Sequence, residues 1–576
     1  MMKRWKKISL AVLTLLVLLS AAGVTMYKAN FTAGAEGKSK NLIVLIGDGM
    51  GPAQITLSRL YAQTYNDQDR LAIDDYLVGT NSTHADNSPD SDESGIVTDS
   101  AASGTAFATG NKTYNGAIAV TNEDVAKPVA SVLEAAKEAG KGTGLISTAR
   151  ITHATPAVYA SHVRSRGNEN AIAKQYLDAE VDVLIGGGEQ YFVSSEKDAT
   201  FGEAQREDNL NLIKDFQAKG YDIAHSKDEL LNSKGDRLLG LLSDTHVPYN
   251  LDREDNIPSL KEQLEKAISL LEKNEKGFVI MIEGGRIDHA GHANDIHSTV
   301  LEMLEFDEAF KAAVQYAEKN GDTSVIATAD HETGGLSIGR NNVYDAYLDV
   351  FQSITASSEI IGKELAEANS EKDVEAIVKK YTGISDLTEE EVSLIMSGNL
   401  LDGEPSSYER EGSFNTVIAN RSMIGWTGHG HTGVDVGVYG YGPAAELLQG
   451  FTDNTDFAKA GATALGLDLE KTTEKLQEKY LYPKYLLTEE KTFLFPVDAF
   501  TDIFDLEVDV KQDQFEVAGN KATFSVPNDA KKIDVDGKKY EVQMDNDRLY
   551  VSIELLNQLT KESLTWDELS ERIVRE

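Results

Sequence analysis

Short apolar runs recur along the chain, and each ends in glycine, threonine or an acidic residue. Asn41 to Ile46 runs into Gly47-Asp48-Gly49-Met50-Gly51, and Gly144 to Ser147 leads into Thr148 to Thr155. Val181 to Ile185 meets Gly186-Gly187-Gly188, Phe278 to Ile282 meets Glu283-Gly284-Gly285, and Ser324 to Thr328 meets Ala329-Asp330-His331. A run that is apolar at nearly every position predicts a strand buried on both faces, as in a parallel sheet. Helical patterns lie between, for example Val129 to Ala139 and Ser259 to Lys273. Strands alternating with helices predict an α/β fold, a mostly parallel central sheet flanked by helices. In such sheets ligands bind at the carboxyl ends of the strands. Acidic and histidine residues stand repeatedly at that edge.

Two regions break the alternation. Residues 341–422 are long, partly helical and rich in Glu, carry none of the motif residues, and read as an insertion. From about residue 482 the composition changes. Phe493 to Val497, Lys521 to Val526, Lys539 to Met544 and Leu549 to Ile553 predict short strands, and Trp566 to Glu576 reads as a polar tail of helical character. Residues 482–576 are therefore expected to form a small, mainly β module, with the main body spanning 36–475.

The first residues carry a different pattern. Lys3, Arg4, Lys6 and Lys7 precede an uncharged apolar stretch from Ile8 to Val24, with small residues at Ala33 to Ala35. This is the layout of a signal peptide. Its apolar stretch is close to the roughly 17 residues needed to span a bilayer, so residues 1–35 are read as a signal peptide or an N-terminal anchor. Either way the body is expected outside the cytoplasm: extracellular, periplasmic or bound to the cell envelope.

The chain has 576 residues, of which 41% are hydrophobic, enough for a large core. Its formal net charge of -39 argues against a nucleic-acid partner. It leaves a phosphorylated small molecule open, because bound cations reverse the sign of a site locally. There is no cysteine, which excludes disulfides and thiolate metal sites.

The chemistry concentrates in a few places. Asp288 and His292 stand four apart, which on a helix puts both on one face. Asp330 and His331 are adjacent and converge only from a strand end. His431 lies in Gly428-His429-Gly430-His431-Thr432-Gly433. Nitrogen and oxygen donors without sulfur suit zinc. Ser100 precedes the small-residue stretch Ala101 to Gly110, which predicts a helix start. There it is either an ordinary N-cap or a nucleophile whose phosphorylated form the helix N-terminus would favour.

Five segments together resemble the alkaline phosphatases: Gly47 to Gly51, Thr98 to Ala106, Glu283 to His289, Ala329 to Gly335 and His431 to Gly433, in that family's order over roughly residues 40 to 460. The resemblance implies an enzyme that hydrolyses phosphate monoesters, with two zinc ions and one magnesium ion. Ser100 would be the nucleophile. Asp288, His292 and His431 would hold one zinc. Asp48, Asp330 and His331 would hold the other. Asp48, Thr155 and Glu283 would hold the magnesium. Arg166 would clamp the phosphate, with Arg164 its nearer rival, and Asp99 would orient that arginine. Two metals about 4 Å apart suit an in-line displacement. His153 and His289 flank the ligands and are closer to the vertebrate type than to the enteric bacterial type. The family often uses the place of residues 341–422, a crown-like insertion, as part of a dimer surface, so a homodimer is among the expectations. Two other readings stand beside this one. A phosphodiesterase of the same superfamily usually has a threonine nucleophile, and an acidic surface protein that only binds metal needs no nucleophile.

Overall fold

The structure, a computed structural model, describes residues 38–401 and 404–576. The leader read from residues 1–35 lies outside them. Among the described residues no helix is long and apolar enough to cross a membrane.

The apolar runs form the middle of a ten-stranded sheet. In chain order its strands are β1 (Asn41–Gly47), β2 (Leu77–Ser82), β3 (Gly142–Arg150), β4 (Val183–Gly187), β5 (Asp222–Ala224), β6 (Leu238–Leu241), β7 (Phe278–Gly284), β8 (Thr323–Thr328), β9 (Val436–Tyr441) and β10 (Gly450–Asp453). They lie in the order β10-β2-β9-β8-β1-β7-β3-β4-β6-β5. β1 is parallel to both β7 and β8, and β9 is antiparallel to both β8 and β2. The fold class is thus α/β with a mixed, mostly parallel sheet.

Alternation along β1 explains its apolar run. Leu42, Val44 and Ile46 enter the core on one face, and Ile43 and Leu45 enter the core on the other. Helices Val132–Glu138 and Asp456–Leu465 cover the first face, and Leu260–Leu271 and Ile296–Asn320 the second. Ser259 and Glu262 start helix Leu260–Leu271 with a reciprocal capping box.

Residues 341–422 contribute helices Asp349–Gln352, Ser358–Ala366, Glu371–Thr382, Glu389–Ser397 and Glu409–Ser422. Their core includes Phe351, Ile361, Val374 and Phe414, seated on Leu57, Tyr61 and Val300 of the body. Toward the C-terminus a five-stranded and a three-stranded antiparallel sheet share a core around Phe495, Phe515, Val542 and Leu556.

The tail departs from its helical reading. Leu564–Asp567 and Arg572–Arg575 form a β-hairpin, and Glu571 takes a left-handed φ of 50° in its turn. The second strand of the hairpin pairs with Tyr480–Pro483, with Leu481 opposite Ile573. The aromatic and β-branched residues Trp566, Ile573 and Val574 suit strands once a partner offers its edge. That partner lies some ninety residues away, outside any local pattern.

Candidate active site

The strand ends deliver the acidic residues to one place. Asp48 follows β1, Glu283 lies near the end of β7, and Asp330 and His331 follow β8. The turn after β1 requires glycine. Gly49 has φ +72°, and a Cβ there would stand 2.8 Å from the Asp288 Cα. Its N–H donates to Asp330 Oδ1 at 3.1 Å, tying the ends of β1 and β8 together.

Helix Arg286–Ala293 follows β7 and carries Asp288 and His292 one turn apart, with His292 Nε2 3.3 Å from Asp288 Oδ2. His431 arrives on the short strand His431–Thr432, which pairs with Glu332–Thr333 just after the Asp-His pair. Its Nε2 is 3.1 Å from His292 Nε2 and 3.6 Å from Asp288 Oδ1, and its Nδ1 is held by the Thr98 carbonyl at 2.8 Å. His331 Nε2 is 3.1 Å from Asp330 Oδ2 and 3.6 Å from Asp48 Oδ1.

Ser100 is the first residue of helix Ser100–Thr109, and Asp99 is its N-cap, accepting from Ala102 N at 2.9 Å. The capping role that the local sequence left open for Ser100 thus falls to its neighbour. Ser100 Oγ is buried 3.2 Å from His331 Nε2 and 3.5 Å from Asp48 Oδ2. The other oxygen of Asp99, Oδ2, accepts from Arg166 Nη1 at 2.9 Å and from Gly116 N at 3.1 Å. Arg166 Nη2 meets His153 Nε2 at 2.9 Å. Arg164 points away, to the carbonyls of Glu123, Asp124 and Tyr482.

Metal ions fit these residues. Among the described residues three groups converge closely enough to share an ion: Asp288-His292-His431, Asp48-Asp288-His331 and Asp48-His153-Glu283. The first is the set expected for one zinc. In the second, Asp288 stands where Asp330 is expected, with Asp330 itself in reach of His331. In the third, a His153 nitrogen joins Asp48 and Glu283. Asp48 Oδ1, Glu283 Oε1 and Thr155 Oγ1 are all buried without a hydrogen-bond partner. Unsatisfied buried oxygens are costly, and several together call for a cation.

The charges agree. Burial, followed by the charges of Asp330, Asp288 and Glu283, pushes the Asp48 carboxyl well above its usual range. Burial raises Glu283 to about 7. Burial also works against ionised Asp288, yet His292 and His431 pull its carboxyl well below the ordinary value. His292 is raised to about 9, where Asp288 outweighs burial, and His431 is lowered to about 4 by burial and by His331.

The alkaline phosphatase family model matches residues 39–467. The chain belongs to the alkaline phosphatase family. It is 38% identical over 487 residues to alkaline phosphatase 3 of Bacillus subtilis, covering 81% of this chain and 99% of that one. It is 35% identical to the alkaline phosphatase of Schizosaccharomyces pombe over 83% of this chain and 91% of the other. The solved cold-active alkaline phosphatase of a Shewanella species superposes with a TM-score of 0.64 at 38% identity, covering 74% of this chain and 99% of that one.

This alkaline phosphatase also places residues at its centre that the sequence motifs did not single out. His246 packs with its ring 4.2 Å from His289 and 5.8 Å from His153, and His153 and His289 are 5.6 Å apart. Burial keeps all three well below the usual histidine value, hence neutral. His246 Nδ1 accepts from Arg150 N at 3.2 Å, and Arg150 is paired with Glu169. His429 and His292 each bond the other's backbone carbonyl, which aims the His292 ring. Thr333 Oγ1 donates to Asp288 Oδ1. His246 has no spacing signal, whereas His429 sits inside the quoted glycine-framed motif.

Proposed function

We propose that this phosphatase is an exported, metal-dependent phosphomonoesterase that works through a covalent phosphoserine on Ser100. The observation that carries the reading is the position of Ser100 Oγ. It is buried against Asp48 and His331, two members of one candidate metal group, at the N-terminus of a helix.

Asp288, His292 and His431 would hold one zinc, and Asp48, Asp330 and His331 the other. Asp48, Thr155 and Glu283 would hold magnesium, with the nearby His153 nitrogen reducing its fit to an ion that prefers oxygen donors. When bound, the ions supply Lewis acidity that lowers the pKa of a coordinated hydroxyl and neutralises the charge of a phosphate. The residues themselves do the rest. The positive end of the helix dipole at its N-terminus favours the negative phosphoserine. Arg166 offers a planar pair of donors to two phosphate oxygens, which a lysine cannot match. Asp99 fixes the plane of that guanidinium and caps the nucleophile's helix with its other oxygen. As Ser100 Oγ bonds to phosphorus the ester bond breaks, and the departing alcohol carries the proton that the serine gives up; water then attacks phosphorus, returns a proton to Ser100 Oγ and releases phosphate.

Metal analysis of the purified protein, paired with hydrolysis rates on a phosphate monoester and a diester, tests this reading. It expects bound zinc and a preference for the monoester. A preference for the diester, or zinc without turnover of either, would favour the phosphodiesterase or the binding protein instead.

A further inference from the structure

The family match ends at residue 467, yet the chain continues to residue 576 and folds back onto the loop that carries Arg166. On its inner side that loop is fixed by the body. Val163 and Ile118 form a β-bridge, and Arg166 N donates to Gly116 O at 2.7 Å. On its outer side it is held by carbonyls from the C-terminal region. Arg164 Nη1 donates to Tyr482 O at 3.1 Å, and Asn168 Nδ2 donates to Leu569 O at 3.0 Å. These two anchors stand two residues before and two residues after Arg166.

The carbonyls are themselves rigidly placed. Tyr480–Pro483 is a central strand, paired on one side with Arg572–Arg575 and on the other with Val125–Ala126. Leu569 sits in the hairpin turn and packs against the main core. Asp124, whose carbonyl also takes a bond from Arg164, is pinned by Lys484 at 3.0 Å and Arg548 at 2.8 Å, both from the C-terminal region. A guanidinium must meet two oxygens in one plane, so a small shift of its backbone matters, and rigid support is what such a group needs.

We propose that the strand Tyr480–Pro483 and the terminal hairpin brace the Arg166 loop, with Arg164 and Asn168 as positioning residues for phosphate binding; the proposal rests on the reading of Arg166 as the phosphate clamp. The role gives a function to residues that lie outside the family match.

The test uses the full-length metal-loaded enzyme and inhibition by inorganic phosphate. Asn168→Ser keeps an N-cap acceptor for Ala171 N but is too short to reach Leu569 O. It is expected to raise the inhibition constant and KM about three- to tenfold, the size of one lost hydrogen bond, with kcat and melting temperature nearly unchanged. In an Arg166→Ala background the same change should have no further effect. Arg164→Met, which keeps the aliphatic stem, should behave the same way and serves if Asn168→Ser folds poorly. An unchanged inhibition constant in both variants, or an equal effect with and without Arg166, would overturn the brace. If Arg166→Ala alone leaves phosphate inhibition intact, the clamp reading itself fails and the brace with it.

Discussion

Asp99 holds two jobs on two oxygens, and substitution can separate them. Oδ1 caps the helix of Ser100, and Oδ2 aligns Arg166. Asp99→Asn can keep a carbonyl oxygen on Ala102 N. It then turns an NH2 toward Arg166 Nη1 and Gly116 N, both donors. Asp99→Ala loses cap and alignment together. A charge-assisted hydrogen bond is worth about 1.5–3 kcal/mol. The pair's side chains are 29% and 19% exposed, so solvent reduces that to about 1–2 kcal/mol. At about 1.4 kcal/mol per tenfold, this predicts phosphate inhibition weakened about five- to thirtyfold in both variants. Loss of the cap adds about 1 kcal/mol of destabilisation in Asp99→Ala only. Product-inhibition kinetics read the first quantity and denaturant unfolding the second. Undiminished phosphate inhibition in Asp99→Asn, or equal stability of the two variants, would refute the division of labour.

Other outcomes follow from the same contacts. Stripping metal with a chelator should lower the melting temperature and abolish activity, both restored by zinc. Without the ion, burial holds the Glu283 carboxyl up at about 7, above its ordinary 4.5, so the metal-free fold holds an extra proton and loses stability as pH rises through that window. The gap between metal-loaded and stripped protein should therefore be wider at pH ~8 than at pH ~6 in differential scanning calorimetry. Half-buried Glu411, which accepts from Ser358 at 2.8 Å, is raised to about 7 from 4.5 by burial. Its ionisation opposes folding over the same rise in pH. Glu411→Gln should stabilise the protein by about 1–2 kcal/mol at pH ~8 and very little near pH ~4, and the reverse trend in denaturant unfolding would contradict it.

Much of the fold was legible because β1, β7 and β8 are buried on both faces and so wrote continuous apolar runs. The ends of those runs carried Asp48, Glu283 and Asp330 to one edge, and the four-residue spacing of Asp288 and His292 fixed one face of a helix. What stayed hidden depends on contacts distant in sequence. Trp566 to Glu576 becomes a hairpin only because Tyr480–Pro483 offers an edge. His246 reaches the centre from a loop with no motif, packed against His289. Ser100 and Asp99 are adjacent and both suit an N-cap, so the choice between them required the backbone geometry of the helix start.

The proposed chemistry turns on a covalent bond between phosphate and Ser100. Mapping the labelled peptide after mixing enzyme with a radiolabelled phosphate monoester and quenching in acid tests it most directly. Label is expected on the peptide holding Ser100, and none in Ser100→Ala that still binds its metals. Label elsewhere, or phosphoserine persisting in that variant, would contradict it.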